Sequence, residues 1–371
     1  MKSLIFAQPS VTIPSLMHCG SIERIFIRGT NWLGDAVMTT PALRRLRASF
    51  PAAHIALLAT PRTADLFTAV PFVDEIVVYR RREAGPRAFT AAVWDLRARR
   101  ADLALLFQNA FEAALLARLG GVPVRIGYGV QGRSALLTHR LQHTPDHRNR
   151  HQTHDYLDLV IAAERACGLA LDPARDTTPS LTATAAHRTA ATSLLQRHGL
   201  APEALRAPLI VLNTGATNSR AKCWPTDYFA ALADRLIEQS RASIVLIGAP
   251  SERAQAESVI VQMQQRGAIN LAGETTMTDL IGVLDQAALI VSNDTGPAHI
   301  AAALGRPTLT IFGPTNEFET APLGPQAQII RAPGIECARC MHRDCPIDHR
   351  CLTRIAAGDV LQQSLKLLRL R

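Results

Sequence analysis

Three stretches of the chain combine glycine, hydroxyl and charged residues in the manner of a ligand-binding loop. The first is Arg28–Pro41, RGTNWLGDAVMTTP, which follows an apolar run and enters a helix with proline near its start. Glycines there let backbone N–H groups approach a ligand, and Asp35 is the one carboxylate within reach of the turn. A carboxylate so placed can take a proton from a substrate hydroxyl, or it can cap the helix that follows. The second is Asn213–Tyr228, NTGATNSRAKCWPTDY, in which hydroxyls, backbone amides and Lys222 converge where a helix begins. That combination suits a phosphate or diphosphate. Lys222 is one of only three lysines among 40 basic residues, so its presence in this loop is unlike ordinary surface decoration. The third is Ser292–Leu304, SNDTGPAHIAAAL. Here Thr295 and Gly296 offer donors to a phosphate and Asp294 can hold sugar hydroxyls, while His299 is either a ligand contact or a core histidine.

Two further clusters carry potential metal chemistry. Cys337-x2-Cys340-x4-Cys345-x5-Cys351 places four thiols within 15 residues, enough to reach one tetrahedral Zn²⁺ or Fe–S site. The spacing lacks a second C-x2-C knuckle, and reduced thiols packing a loop, or redox-sensitive ones, are the competing and preferred expectation. His139–His154, HRLQHTPDHRNRHQTH, holds five histidines. It lacks sustained i, i+4 repetition with carboxylates and is expected to be a solvated basic loop, with Arg80–Arg82 and Arg97–Arg100 as further contacts for anionic groups.

Such loops need a scaffold, and the chain supplies one by alternating short β-rich runs with longer helical stretches. Strands are expected at Arg24–Arg28, His54–Ala59, Glu75–Tyr79, Leu103–Phe107 and Val124–Gly127. A Pro/Thr/Asp-rich linker at 171–184 follows. Strands then resume at Leu209–Asn213, Ser243–Ile247, Ala288–Ser292 and Thr308–Phe312. The later runs are apolar on both faces, as in strands buried between helix layers. The expected fold is α/β, two doubly wound Rossmann-like domains facing a central cleft: 21–183, then 184–371 with the cysteine loop 337–351 and a terminal helix. Residues 1–20 read as an extension without the apolar core of a signal peptide.

Composition narrows the function classes. A chain of 371 residues with 47% apolar content is neither disordered nor collagen-like, and no apolar run of about 18 residues suggests a membrane span. With aromatics at 5%, a base-stacking nucleic-acid binder is disfavoured. The net charge of +9 is uneven: residues 1–200 hold 24 basic against 15 acidic residues, and the remainder is balanced at 16 of each. The basic half and the neutral half therefore suit different partners.

The three loops together resemble glycosyltransferase family nine, the ADP-heptose:lipopolysaccharide heptosyltransferases. The residues that carry the resemblance are Asn31-Trp32-Leu33-Gly34-Asp35, Gly215-Ala216 with Ala221-Lys222-Cys223-Trp224-Pro225, Leu271-Ala272-Gly273-Glu274-Thr275, and Asn293-Asp294-Thr295-Gly296 with His299-Ile300-Ala301. The resemblance implies a GT-B fold, an acceptor-binding N-terminal domain and a nucleotide-sugar-binding C-terminal domain. It also implies an inverting transfer that requires no metal or other cofactor. By similarity Asp35 is the general base. Lys222, Thr295 and Gly296 neutralise the departing diphosphate, and Asp294 and His299 face the donor sugar and its phosphate. Glu252 falls near the adenosine ribose and Thr275 near the adenine, with Thr214 and Thr217 as further donor contacts. Asn31, Arg62, Arg80 and Arg82 are the acceptor-side candidates. The implied donor is ADP-L-glycero-D-manno-heptose and the acceptor a phosphorylated glycolipid, met by a cytoplasmic enzyme at the inner membrane leaflet. A relative with a different acceptor or sugar is the nearest alternative, and a non-catalytic nucleotide-binding module a distant one.

Overall fold

A computed structural model describes residues 11–12, 22–200, 207–217 and 219–369. The chain divides into two compact units, Met1–Thr177 and Thr178–Arg371. Among the described residues no helix is long and apolar enough to cross a membrane.

The N-terminal unit is built on β1 (Val11–Thr12), β2 (Arg24–Arg28), β3 (His54–Ala59), β4 (Glu75–Val78), β5 (Leu103–Leu106), β6 (Val124–Tyr128) and β7 (His139–Leu141). Their order is β1-β7-β6-β5-β2-β3-β4, parallel throughout except for β1, which runs antiparallel to β7. β2, β3 and β5 are almost wholly buried because helices cover both faces, the condition under which parallel strands become continuous apolar runs. Phe26, Leu58, Leu106 and Tyr79 pack on one face against Val93, Leu96 and Leu116.

The C-terminal unit contains β8 (Leu209–Asn213), β9 (Ser243–Ile247), β10 (Ile269–Asn270), β11 (Leu289–Asn293), β12 (Thr308–Ile311) and β13 (Ala327–Ile330), in the all-parallel order β10-β9-β8-β11-β12-β13. Ile210, Leu212, Leu246 and Val291 meet Phe229, Leu232 and Leu236 of the helix Thr226–Ser240. Truncating a leucine such as Leu232 in this core costs about 2–5 kcal/mol.

Each sheet reverses its strand order once, between β2 and β5 in the first unit and between β8 and β11 in the second. Ligands of doubly wound sheets bind beyond the carboxyl ends of the strands at such a reversal. The loops singled out in the sequence leave β2, β8 and β11 at those ends.

The structure departs from expectation in three places. β7, β10 and β13 were not anticipated: two are only two or three residues long, and β13 is an edge strand with one fully buried residue. The histidine-rich stretch is not simply a solvated loop, since it contributes β7 and buries His139 and Arg150. Arg150 is drawn inward by Asp155 and Asp158, at 2.7 and 2.6 Å. Of residues 1–20, only Val11–Thr12 are described, and they supply a paired strand where an extension was expected. The exposed backbone of β7 offers them hydrogen-bonding partners. The rest of that segment lies outside the described residues.

Candidate functional site

In the C-terminal unit the loop after β8 and the loop after β11 are clipped together by two asparagine side chains. Asn293, the last residue of β11, donates from Nδ2 to the Thr214 carbonyl at 2.7 Å and accepts from the Trp224 N–H at 3.1 Å. Asn213, the last residue of β8, donates to the Thr295 hydroxyl and to Ser292 Oγ. Trp224 is fully buried, its indole N–H given to the Ile355 carbonyl at 2.9 Å, and it pins the far end of the Lys222 loop. A buried indole is tolerated only when its donor is used in this way.

Lys222 is thereby held over β11. Its ammonium donates to Asp294 Oδ2 at 3.1 Å and to the Asp294 carbonyl at 3.3 Å, and Thr315 Oγ1 donates to the same carboxylate oxygen at 2.7 Å. Asp294 is buried whereas the Lys222 side chain keeps about a quarter of its surface exposed, 27%. An ammonium carries three donors, and its contacts to the Asp294 carboxylate and carbonyl fix its position. Beside it the helix Gly296–Ala303 starts at Thr295 with no side-chain cap, presenting its positive dipole end. His299 is buried one turn inside that helix.

Glu252 closes the other side. It ends a 3-10 turn after β9 and accepts from the Ala249 N–H at 2.7 Å and from the Thr217 hydroxyl at 3.2 Å. Its carboxylate lies against Gly215 so closely that a Cβ there would fall 2.2 Å from Cδ, which only glycine avoids. An acidic residue past the second strand of a doubly wound domain is the usual partner of ribose hydroxyls. The loop bearing Thr275 packs on this turn, with the Gly273 N–H on the Gly248 carbonyl at 2.9 Å. Thr275 itself is half-buried. Thr214 contributes differently from expectation: its hydroxyl is buried without a hydrogen-bond partner, while its carbonyl anchors Asn293 and Gln255.

In the N-terminal unit Asp35 is the third residue of the helix Leu33–Met38, whose N-cap is Trp32. The carboxylate is not the cap. Burial first, and then the Asp35 charge, pushes the Tyr156 phenol well above its ordinary range. The loop is anchored from beneath by Arg28, a residue that the sequence did not single out. Its buried guanidinium donates to the Gly29 carbonyl and to Asn31 Oδ1 at 3.1 Å, and lies 5.4 Å from the Tyr79 ring centre. Burial lowers its pKa to about 10, with Tyr79 and Glu112 opposing the shift. Glu112 in turn accepts from the Tyr79 hydroxyl at 2.7 Å and from Arg81 at 2.8 Å.

Of the acceptor-side candidates, Asn31 belongs to this network and Arg62 stacks over exposed Trp32 at 5.5 Å. Arg80 pairs with Glu83 at 3.1 Å, both well exposed. The side chain of Arg82 lies outside the described residues. The abundance of arginine conceals a buried one; the signal available was position, an arginine ending an apolar strand directly before Gly29. Taken unit by unit, the arrangement brings Lys222, Asp294, Thr295 and an uncapped helix N-terminus together in one half and sets a helix-borne carboxylate above an arginine-anchored loop in the other.

Residues 90–350 match the family model described as glycosyltransferase family 9 (heptosyltransferase). The chain belongs to glycosyltransferase family 9. As a member of that family it is a glycosyltransferase. It is 29% identical over 325 residues to lipopolysaccharide heptosyltransferase 2 of Escherichia coli, covering 83% of this chain and 88% of that protein. It is 30% identical over 321 residues to lipooligosaccharide heptosyltransferase 2 of Haemophilus ducreyi, again covering 83% and 88%. The solved structure of E. coli ADP-heptose lps heptosyltransferase II superposes with a TM-score of 0.78 at 26% identity, covering 94% of this chain and 99% of that one. The GT-B class expected of this glycosyltransferase agrees with that match.

Proposed function

We propose that this glycosyltransferase moves L-glycero-D-manno-heptose from the ADP sugar to the inner core of lipopolysaccharide, with inversion and without a metal ion in the chemical step. The observation that carries the reading is the convergence of Lys222, Asp294, Thr295 and an uncapped helix N-terminus at the β8–β11 reversal, with Glu252 alongside. In the transfer an acceptor hydroxyl oxygen forms a bond to the anomeric carbon as the bond from that carbon to the diphosphate oxygen breaks. The hydroxyl proton passes to the Asp35 carboxylate and the electron pair leaves with ADP. Lys222 and the helix dipole meet the developing negative charge, which is why a metal is not invoked. A single displacement needs one base, and no carboxylate pair is called for. Glu252 holds the ribose hydroxyls and Thr275 lies toward the adenine. Asn31, Arg62, Arg80 and Arg82 stand on the acceptor side.

The acceptor is a phosphorylated glycolipid at the cytoplasmic face of the inner membrane, approached by the half of the chain that carries the whole positive excess. The deciding experiment incubates the protein with ADP-heptose and a mono-heptosylated Kdo-lipid A acceptor in the presence of EDTA and follows product mass. A gain of one heptose supports the reading. No gain, with a working positive control, overturns it, and transfer only to an acceptor lacking the first heptose reassigns the acceptor.

A further inference from the structure

Away from the strand reversals, the cysteine loop holds free thiols, with Cys351 packed in the core. Among the described residues no three His, Cys, Asp or Glu side chains are placed to hold a metal, in this loop or elsewhere. The feature that packing leaves unused is the outer face of the helix Arg81–Arg99. Gly85 breaks the helical path with φ of 56°, and Pro86 restarts it, proline being suited to a first helical turn. From there Phe89, Val93 and Leu96 pack inward at i, i+4 and i+7. The opposite stripe, Arg87, Ala91, Trp94 and Ala98, keeps the same spacing and is exposed.

Trp94 leaves 67% of its surface in solvent, and the Arg97 guanidinium lies 5.2 Å from its ring centre. Arg97 also donates from Nε to the Leu119 carbonyl at 2.8 Å. That bond ties the end of the helix Phe111–Leu119, with exposed Arg118 and Leu119, to the same patch. Residues 80–100 hold seven arginines and two carboxylates. Both carboxylates are already engaged, Glu83 by Arg80 and Asp95 by Arg99. Among the described residues Arg87, Arg97, Arg100 and Arg118 form no ion pair.

Charge selects the occupant of this face. Unpaired arginines around a tryptophan repel a second copy of themselves and suit a surface that is anionic outside and apolar beneath. Tryptophan settles at the headgroup level of a bilayer, and arginines beside it gain from anionic lipid. The helix starts at the carboxyl end of β4, the sheet end from which the Asp35 loop also leaves. A helix lying along a lipid surface therefore keeps that edge of the unit beside it. We propose that the face carrying Arg87, Trp94, Arg97 and Arg100, with Arg118 and Leu119 at its margin, docks the N-terminal unit on an anionic phospholipid surface. Docking of this kind presupposes the membrane-borne acceptor proposed above, whatever the sugar transferred.

The test uses the whole protein and vesicles without acceptor. Vesicles of equal parts phosphatidylglycerol and phosphatidylethanolamine should carry the protein in flotation, and phosphatidylcholine vesicles should not. Arg87→Gln/Arg97→Gln/Arg100→Gln should weaken binding about 100-fold, at about fivefold per cation. Arg197→Gln/Arg235→Gln/Arg266→Gln, an equal change of exposed charge in the C-terminal unit, should leave binding nearly unchanged. Lipids brominated on the acyl chain should quench the fluorescence of the bound wild type. Trp94→Phe, which keeps Trp32 and Trp224, should fold and bind but lose that quenching. No binding to the anionic vesicles, equal loss in both triple variants, or quenching retained in Trp94→Phe overturns the proposal. So does a dimer that disappears in Trp94→Ala in place of vesicle binding, which assigns the face to a second copy. Transfer assays separate this docking from the proposed chemistry. Trp94→Ala should keep its turnover on a deacylated, water-soluble acceptor and lose it several-fold on an acceptor carried in vesicles. Vesicle docking by a protein that transfers no heptose leaves the face assigned and removes the chemistry instead.

Discussion

At the strand reversal of the C-terminal unit two neutral amides, Asn213 and Asn293, hold the loops; at that of the N-terminal unit the work falls to two buried arginines. Arg133 is fully buried and donates to the Tyr128 carbonyl at 2.8 Å and to Asn109 Oδ1 at 2.7 Å, while Arg28 grips the Asp35 loop. Burial lowers both guanidinium pKa values to about 10. The contrast has a chemical consequence. Neutral clips leave Lys222 and Asp294 as the charged pair between the two loops, so a single substitution there changes the local field. Arginine clips reach several oxygens each and make the loops leaving β2 and β5 depend on buried cations.

The largest effect is expected where the proposed chemistry depends on one atom. Asp35→Asn should lower kcat by about 10²–10⁴-fold, the usual contribution of a general base, while ADP binding measured by calorimetry stays within about twofold. A variant that keeps its turnover would remove Asp35 from the mechanism.

Next in size is the Lys222–Asp294 pair. Lys222→Met should reduce kcat/KM by about 10²–10³-fold, as loss of a charge-stabilising donor does. It should also destabilise the protein by about 1–3 kcal/mol, because the buried Asp294 carboxylate loses its counter-charge. Adding Asp294→Asn should restore most of the stability and none of the activity, a separation that a double-mutant cycle measures directly. Recovery of both together would mean that the lysine matters only as a strut.

The fate of these residues shows what could be read in advance. β8 and β11 were legible because runs such as Leu209–Asn213 are apolar on both faces, and their glycine- and threonine-rich exits marked the loops that meet at the strand reversal. The pairing of Lys222 with Asp294 was not, since it joins residues 72 positions apart through side-chain geometry that no local pattern encodes. The asparagine clips escaped for the same reason. Arg28 and Arg133 were hidden by composition: in a chain where nearly every cation is arginine, residue type no longer separates an anchor from a solvated surface charge. The histidine stretch was misjudged because polarity alone does not reveal that Asp155 and Asp158 wait on the next helix to draw Arg150 inward.

The arginine side of the comparison is sharpened by Arg28. Arg28→Met should cost about 1–3 kcal/mol, because the Gly29 carbonyl and Asn31 lose a buried donor. It should lower kcat more than ADP affinity, since the affected loop carries Asp35. An equal loss in donor binding would contradict the division of labour between the units. Arg28→Lys should rescue only part, a point charge being unable to span the same acceptors.

The smallest effect is a pH dependence confined to the histidine stretch. His154 has a buried Nδ1 without a hydrogen-bond partner, and its pKa is lowered to about 4 by burial first and then by Arg150, Arg175 and His151, with Asp158 opposing. The folded protein thus keeps this imidazole neutral where the unfolded chain, titrating near 6.5, takes up a proton. With more protons bound in the unfolded state, stability rises with pH across that interval. Acidification from pH 6.5 toward 4 should accordingly lower Tm by a few degrees, and buried His139 and part-buried His143, shifted in the same direction, add to the slope. His154→Gln should flatten the profile between those limits while leaving Tm at pH 8 nearly unchanged. A variant with the wild-type slope would remove His154 as the source of the acid sensitivity.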